Sequence, residues 1–305
     1  MEINKLRGIV PPIVTPLTDR DHLDVEGLKR LVRYQLNGGV HGLFVLGTTG
    51  EAQSLSYATR YELVRLVCEY VNGSVPVLVG ITDTSLDESL KLAAWAKSCG
   101  ADAVVSAPPY YFAPSQQELI EYYNALADAL PLPLFLYNMP SHVKVVFEPR
   151  TVQALSEHPN IVGLKDSSAN MVYFQTLLHT VPRDFALFVG PEELTAECVL
   201  MGAAGGVNGG ANIFPRLYVD LFDATERCDL QKISELQKVV MQISSNLYTI
   251  GKYGSSYLKG VKCALSLMGI CDDYLSYPYR RFREEERARV QEVLESLPEQ
   301  YVLKA

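Results

Sequence analysis

Short runs of almost wholly apolar residues alternate with longer amphipathic stretches through the first two thirds of this chain, and the alternation repeats eight times. The runs are Gly8–Thr15, Gly42–Gly47, Val75–Ile81, Ala103–Ser106, Pro133–Tyr137, Ile161–Lys165, Ala186–Gly190 and Gly205–Asn208. A strand with one wet face alternates apolar and polar residues. These runs do not alternate, so both of their faces are buried, as in a parallel sheet covered by helices. Between them apolar positions recur at three and four, as at Leu28, Leu31, Val32 and Leu36. Helices are therefore expected over Val25–Gln35, Tyr57–Tyr70, Leu86–Ser98, Gln116–Ala129, Pro149–Ser156 and Glu193–Met201. Eight strand–helix units within roughly 250 residues have the size of an α/β fold of the (β/α)8 barrel type, the TIM barrel. A doubly wound open sheet is the alternative, disfavoured by eight near-equal repeats without a dinucleotide-binding loop.

Beyond about Arg216 the pattern is helical throughout, with segments over Leu230–Leu247, Gly254–Met268 and Phe282–Leu297. We expect residues 1–225 to form the barrel and residues 226–305 to form a three-helix C-terminal extension packed against it, because no low-complexity linker separates them. The net charge of −8 and pI near 5.2 provide no basic face for nucleic acid. No signal-peptide core and no run of about 20 apolar residues is present, which points to a cytoplasmic protein without membrane contact. The six cysteines form no C-x-x-C pair and the five histidines have no ligand spacing, so neither disulfides nor a metal is expected.

In such a barrel the reactive groups lie on the loops at the carboxyl ends of the strands. That rule nominates Gly47-Thr48-Thr49-Gly50-Glu51 after strand two, Pro108-Pro109-Tyr110-Tyr111 after strand four and Tyr137-Asn138-Met139-Pro140 after strand five. It also nominates Lys165-Asp166-Ser167-Ser168 after strand six and Gly190-Pro191-Glu192-Glu193 after strand seven. A lysine ending an apolar strand is either the first solvated residue of a loop or an enclosed amine. An enclosed lysine is costly to keep charged, and its neutral amine attacks carbonyl carbon to form a Schiff base. The loop at Gly47–Glu51 is either a glycine turn with a threonine N-cap or a cradle of hydroxyls and backbone N–H groups for a carboxylate. Tyr137 is a core aromatic whose hydroxyl reaches the rim, where a phenol can carry protons. Glu192 and Glu193 either cap the following helix or bind substrate hydroxyls.

Taken together, Gly47-Thr48-Thr49-Gly50-Glu51, Tyr137-Asn138-Met139-Pro140 and Gly163-Leu164-Lys165-Asp166 resemble the dihydrodipicolinate synthase and N-acetylneuraminate lyase family of Schiff-base lyases. The resemblance runs from about residue 7 through the C-terminal helices. It implies that Lys165 forms an imine with pyruvate or another 2-oxo acid, and that Thr48 and Thr49 bind the carboxylate. It further implies that Tyr137 is the proton shuttle with Thr49 in its relay, and that Tyr111 enters the relay of a neighbouring subunit. Gly190 and Val207 match positions whose backbone lines the pocket. The family also implies a homotetramer and no cofactor beyond the imine.

Two departures bear on the substrate. Dihydrodipicolinate synthases carry an arginine at His142 that holds the carboxylate of aspartate semialdehyde, and a glycine at Lys144. In the lyases, acidic residues at Glu192 and Glu193 face the polyol tail of the sugar, while the serine of their glycine loop is Gly209 here. The expected function is reversible aldol cleavage or condensation of a 2-oxo acid with an aldehyde, with a 2-keto-3-deoxy sugar acid as the leading substrate. The alternatives are condensation of pyruvate with aspartate semialdehyde, a dehydratase or deaminase that uses the same imine without carbon–carbon cleavage, and a non-catalytic barrel that binds a 2-oxo acid.

Overall fold

A computed structural model of the chain describes residues 3–298 and 301. The barrel portion runs β1 (Gly8–Ile9), α1 (Val25–Asn37), β2 (Leu43–Val45), α2 (Tyr57–Val71), β3 (Val77–Gly80), α3 (Leu86–Cys99), β4 (Ala103–Ser106) and α4 (Gln116–Ala129). It continues with β5 (Leu134–Asn138), α5 (Pro140–Val143), α6 (Pro149–Ser156), β6 (Ile161–Asp166), α7 (Met171–Thr180), β7 (Ala186–Val189), α8 (Thr195–Leu200), β8 (Gly205–Gly206) and α9 (Pro215–Glu226). Then follow α10 (Leu230–Asn246), α11 (Ser256–Leu267) and α12 (Glu284–Ser296).

All strand pairings are parallel, in the order β1-β8-β7-β6-β5-β4-β3-β2. The ring closes where the chain after β1 meets β2: Pro12 bridges Phe44, the Ile13 N–H donates to the Phe44 carbonyl, and the Phe44 N–H donates to the Pro11 carbonyl. The first strand is shorter than its apolar run because Pro11 and Pro12 have no N–H for a ladder. α7 and α9 carry covering segments that hydropathy spacing did not delimit.

The apolar runs serve two cores. Phe44, Leu78, Val105, Phe135 and Phe188 fill the barrel interior. Their strand neighbours Leu43, Val79, Val104, Leu136 and Leu187 pack outward against the helices. Burial of both alternating sets is why the strands show no period of two. The first-turn caps are sequence-encoded as well, with Asp24, Ser56, Ser85 and Ser115 each accepting a backbone N–H at the start of α1 to α4.

Candidate active site

β5 and β6 pair in a register that sets Tyr137 beside Lys165 and Asn138 beside Asp166. Because side chains alternate along a strand, the first pair points into the barrel and the second toward the helices. On the outer face the Asp166 carboxylate accepts from Asn138 Nδ2 at 2.8 Å, from the Ser168 N–H at 3.0 Å and from Ser168 Oγ at 2.9 Å. Burial still raises its pKa above the usual carboxylate value. This knot holds the chain on which Lys165 sits. Gly163, two residues earlier on the inner face, gives its side-chain space to the Phe135 ring.

Lys165 is 7 % exposed. Its Nζ lies 4.3 Å from the centre of the Tyr137 ring and 5.3 Å from that of Phe44. Val207 and Phe188 share the small enclosed space around it. Above that floor opens a cavity of about 660 Å³ walled by Thr48, Thr49, Tyr137, His142, Tyr253 and Tyr257, with Phe44 common to both spaces. A lysine amine at the base of a cleft and a phenol over it are the parts a carbonyl-condensing site needs.

The Gly47–Glu51 loop curls back on itself, the Gly50 N–H donating to the Gly47 carbonyl at 3.0 Å and the Glu51 N–H to the Thr48 carbonyl at 3.1 Å. Leu46 and Glu51 bracket it with φ of 58° and 56°, a left-handed backbone that costs energy in residues bearing a Cβ. The Thr48 and Thr49 N–H groups have no partner among the described residues. The two hydroxyls diverge. Thr48 Oγ1 lies 3.2 Å from Tyr137 Oη, and Thr49 Oγ1 lies 3.2 Å from Tyr257 Oη. The hydroxyl in contact with Tyr137 is therefore that of Thr48, whereas the family resemblance implies Thr49 as its relay partner.

Other nominated residues stand elsewhere. Tyr111 is 78 % exposed and stacks edge-on with exposed Phe112, while Tyr110 lines the cavity of its own chain. Gly190 is half-buried, its N–H donating to the Asp166 carbonyl and its carbonyl accepting from Asn208 Nδ2. Glu192 does not line the cavity as a substrate ligand. Its Oε1 accepts from Tyr218 Oη at 2.7 Å and from Tyr248 Oη, and its Oε2 accepts the Gly210 N–H at 2.8 Å. Complete burial pushes the Glu192 carboxyl up to about 7. His142 is on the rim with Nδ1 3.0 Å from Ser141 Oγ, and desolvation lowers its pKa, so it is neutral at pH 7.

The residues that sequence reasoning missed come from the C-terminal extension. Tyr257 on α11 reaches Thr49, and its ring meets Tyr248 edge-on at 4.8 Å. Its hydroxyl fills the space in which a Cβ on Gly209 would stand. Lys262, five residues on, makes a fully buried ion pair with Glu51, while the Ser276 N–H holds the other carboxylate oxygen at 2.8 Å. No local signal in α11 announces these contacts, since their partners lie more than 200 residues away in the chain. Among the described residues no group of three or more His, Cys, Asp and Glu is arranged to hold a metal, and no helix is long and apolar enough to cross a membrane.

Comparison with known proteins bears on the fold and the family. The model of the dihydrodipicolinate synthetase family matches residues 5–297. The 4-hydroxy-tetrahydrodipicolinate synthase of Methanopyrus kandleri is 33% identical over 295 residues, covering 96% of this chain and 97% of that protein. Among solved structures, the dihydrodipicolinate synthase of Bacteroides thetaiotaomicron shares 58% identity with a TM-score of 0.93, covering 96% of this chain and 99% of that one. YagE of E. coli K12, a prophage protein of the dihydrodipicolinic acid synthase family solved in complex with pyruvate, shares 29% identity with a TM-score of 0.90 over 95% of this chain and 98% of that one.

Proposed function

This chain belongs to the dihydrodipicolinate synthetase family of Schiff-base aldolases, and we propose that it condenses pyruvate with aspartate semialdehyde as a 4-hydroxy-tetrahydrodipicolinate synthase. The observation that carries the reaction type is the convergence of the Lys165 amine, the Tyr137–Thr48 hydroxyl pair and the two unpartnered N–H groups of Thr48 and Thr49. The threonine N–H groups and hydroxyls take the carboxylate of the 2-oxo acid, which sets its carbonyl carbon over Lys165. The amine adds to that carbon. Tyr137, bonded to Thr48, delivers the proton that lets the carbinolamine lose water, and the resulting imine acts as an electron sink. Loss of a proton from the adjacent carbon gives an enamine that attacks the aldehyde.

Three points favour this acceptor over a 2-keto-3-deoxy sugar acid. The curated relatives at about a third identity are named as synthases. Glu192 is buried against Tyr218, Tyr248 and Gly210 and is not among the residues that wall the cavity where a polyol would lie. The Tyr257 hydroxyl occupies the place that the Cβ of the lyase serine would take at position 209. A homotetramer fits the exposed apolar side chains, with Tyr111 and Phe112 on one loop and Leu200, Met201, Leu230 and Met241 around α8 and α10.

Incubation with pyruvate and borohydride, followed by intact mass and peptide mapping, tests the reading. A reduced pyruvyl adduct on Lys165 is expected. No adduct under conditions that label a known synthase moves the chain to the non-catalytic barrel. Product analysis with aspartate semialdehyde and with 2-keto-3-deoxy sugar acids then decides the acceptor.

A further inference from the structure

We infer that a second cavity, walled by the C-terminal extension and opening onto the mouth of the first, is an anion-binding antechamber that collects carboxylate substrates on their way to Lys165. The inference rests on the reading of the adjoining cavity as the Schiff-base site. The second cavity measures about 580 Å³ and lies between the turn ahead of α11 and the segment leading into α12. Tyr253, Ser255 and Tyr279 belong to the walls of both cavities, so the two are contiguous.

Its charged lining is one-sided. Lys252, Lys259, Arg280, Arg281 and Arg283 face a single carboxylate, Glu286. Arg281 is committed to Asp272 at 3.0 Å and Asp273 at 3.3 Å. Glu286 accepts the Arg283 N–H at 3.0 Å at the start of α12. The remaining four cations form no ion pair among the described residues. Like charges on one concave wall repel one another within a screening length of about 8 Å at physiological ionic strength, and an anion that joins them relieves that repulsion.

The catalytic cavity makes the need concrete. Its rim offers the neutral His142, and its acidic member Glu51 is already neutralised by Lys262. A chain of net charge −8 repels small anions over most of its surface. A cationic concavity at the entrance reverses that locally and raises the concentration of anionic ligand at the site behind it. The chemistry fits small mono- and dicarboxylates, the class to which both the 2-oxo acid and a carboxylate-bearing aldehyde belong.

Two measurements on the full chain, with and without the Lys252→Ala/Arg280→Ala pair of exposed substitutions, test this. Calorimetric titration with inorganic phosphate is expected to detect binding that weakens about tenfold in the variant. The second-order rate of borohydride-trapped pyruvate adduct formation is expected to fall with added salt in the unmodified chain and to be about tenfold lower in the variant at low salt. Lys252→Ala combined with the charge reversal Arg280→Glu, which removes one more unit of positive charge than the alanine pair, is expected to lower it further. Phosphate that does not bind, phosphate that binds both proteins equally, or an adduct rate indifferent to these substitutions overturns the antechamber. Absence of any adduct in the unmodified chain is a different result, which removes the Schiff-base reading on which the antechamber depends.

Discussion

Lys165 and Tyr137 lie 28 positions apart and become neighbours because each ends a strand of the same parallel pair at matching register. Lys165→Ala is expected to abolish the pyruvate adduct, and Tyr137→Phe to lower turnover by about 10²- to 10⁴-fold while leaving adduct formation detectable at long incubation. Since Thr48 rather than Thr49 touches the Tyr137 hydroxyl, Thr48→Val should cut kcat more than Thr49→Val does. Equal kcat losses in steady-state assays would place both hydroxyls in the relay. Glu192 has a pH signature of its own. Its carboxyl titrates near 7 in the folded chain and near 4.5 when unfolded, so between those values the folded state holds more protons. Stability from this group therefore falls as pH rises from about 4.5 to about 7 and does not return above it. Thermal melts of Glu192→Gln should show the wild-type Tm dropping relative to the variant across that window, and a constant gap would assign the titration elsewhere.

The element that departs most from its expected role is α11. As a helix of an extension packed on the barrel it had no assigned part in chemistry, yet it fastens the Gly47–Glu51 loop at two points, Tyr257 on Thr49 and Lys262 on Glu51. Removing one member of a buried ion pair leaves an uncompensated charge, at a cost of about 3–5 kcal/mol. Lys262→Met is expected to lose stability on that scale in denaturant unfolding, with Glu51→Leu added to it recovering part of the loss. Gly209→Ala should push Tyr257 off Thr49 and raise the KM for pyruvate. An unchanged KM in that variant would mean that Tyr257 finds room elsewhere without cost to the loop.

At the scale of the molecule, Tyr111 and Phe112 leave their own chain's surface almost fully exposed, an arrangement that an isolated barrel does not need. Light scattering is expected to give four times the 33.8 kDa chain mass, and a Leu200→Asp/Met241→Lys variant should fall to a smaller species. A tetramer that survives those charges would locate its contacts on another face.

What the sequence determined by itself is what depends on neighbours along the chain. Eight apolar runs buried on both sides require a parallel sheet wrapped in helices, and residues at the ends of those runs must share one rim of it. Lys165, Tyr137 and the Thr48–Thr49 loop were legible for that reason, helped by motifs that together resemble one family. What only the tertiary structure decided depends on direction and distance between parts remote in sequence. Two adjacent threonines point to different phenols, Thr48 to Tyr137 and Thr49 to Tyr257, which come from β5 and from α11. A glutamate at a strand end turns inward to three donors instead of outward to a ligand. The helices beyond the barrel close onto the loop after β2, and no periodicity in their own residues records which barrel loop they were going to meet.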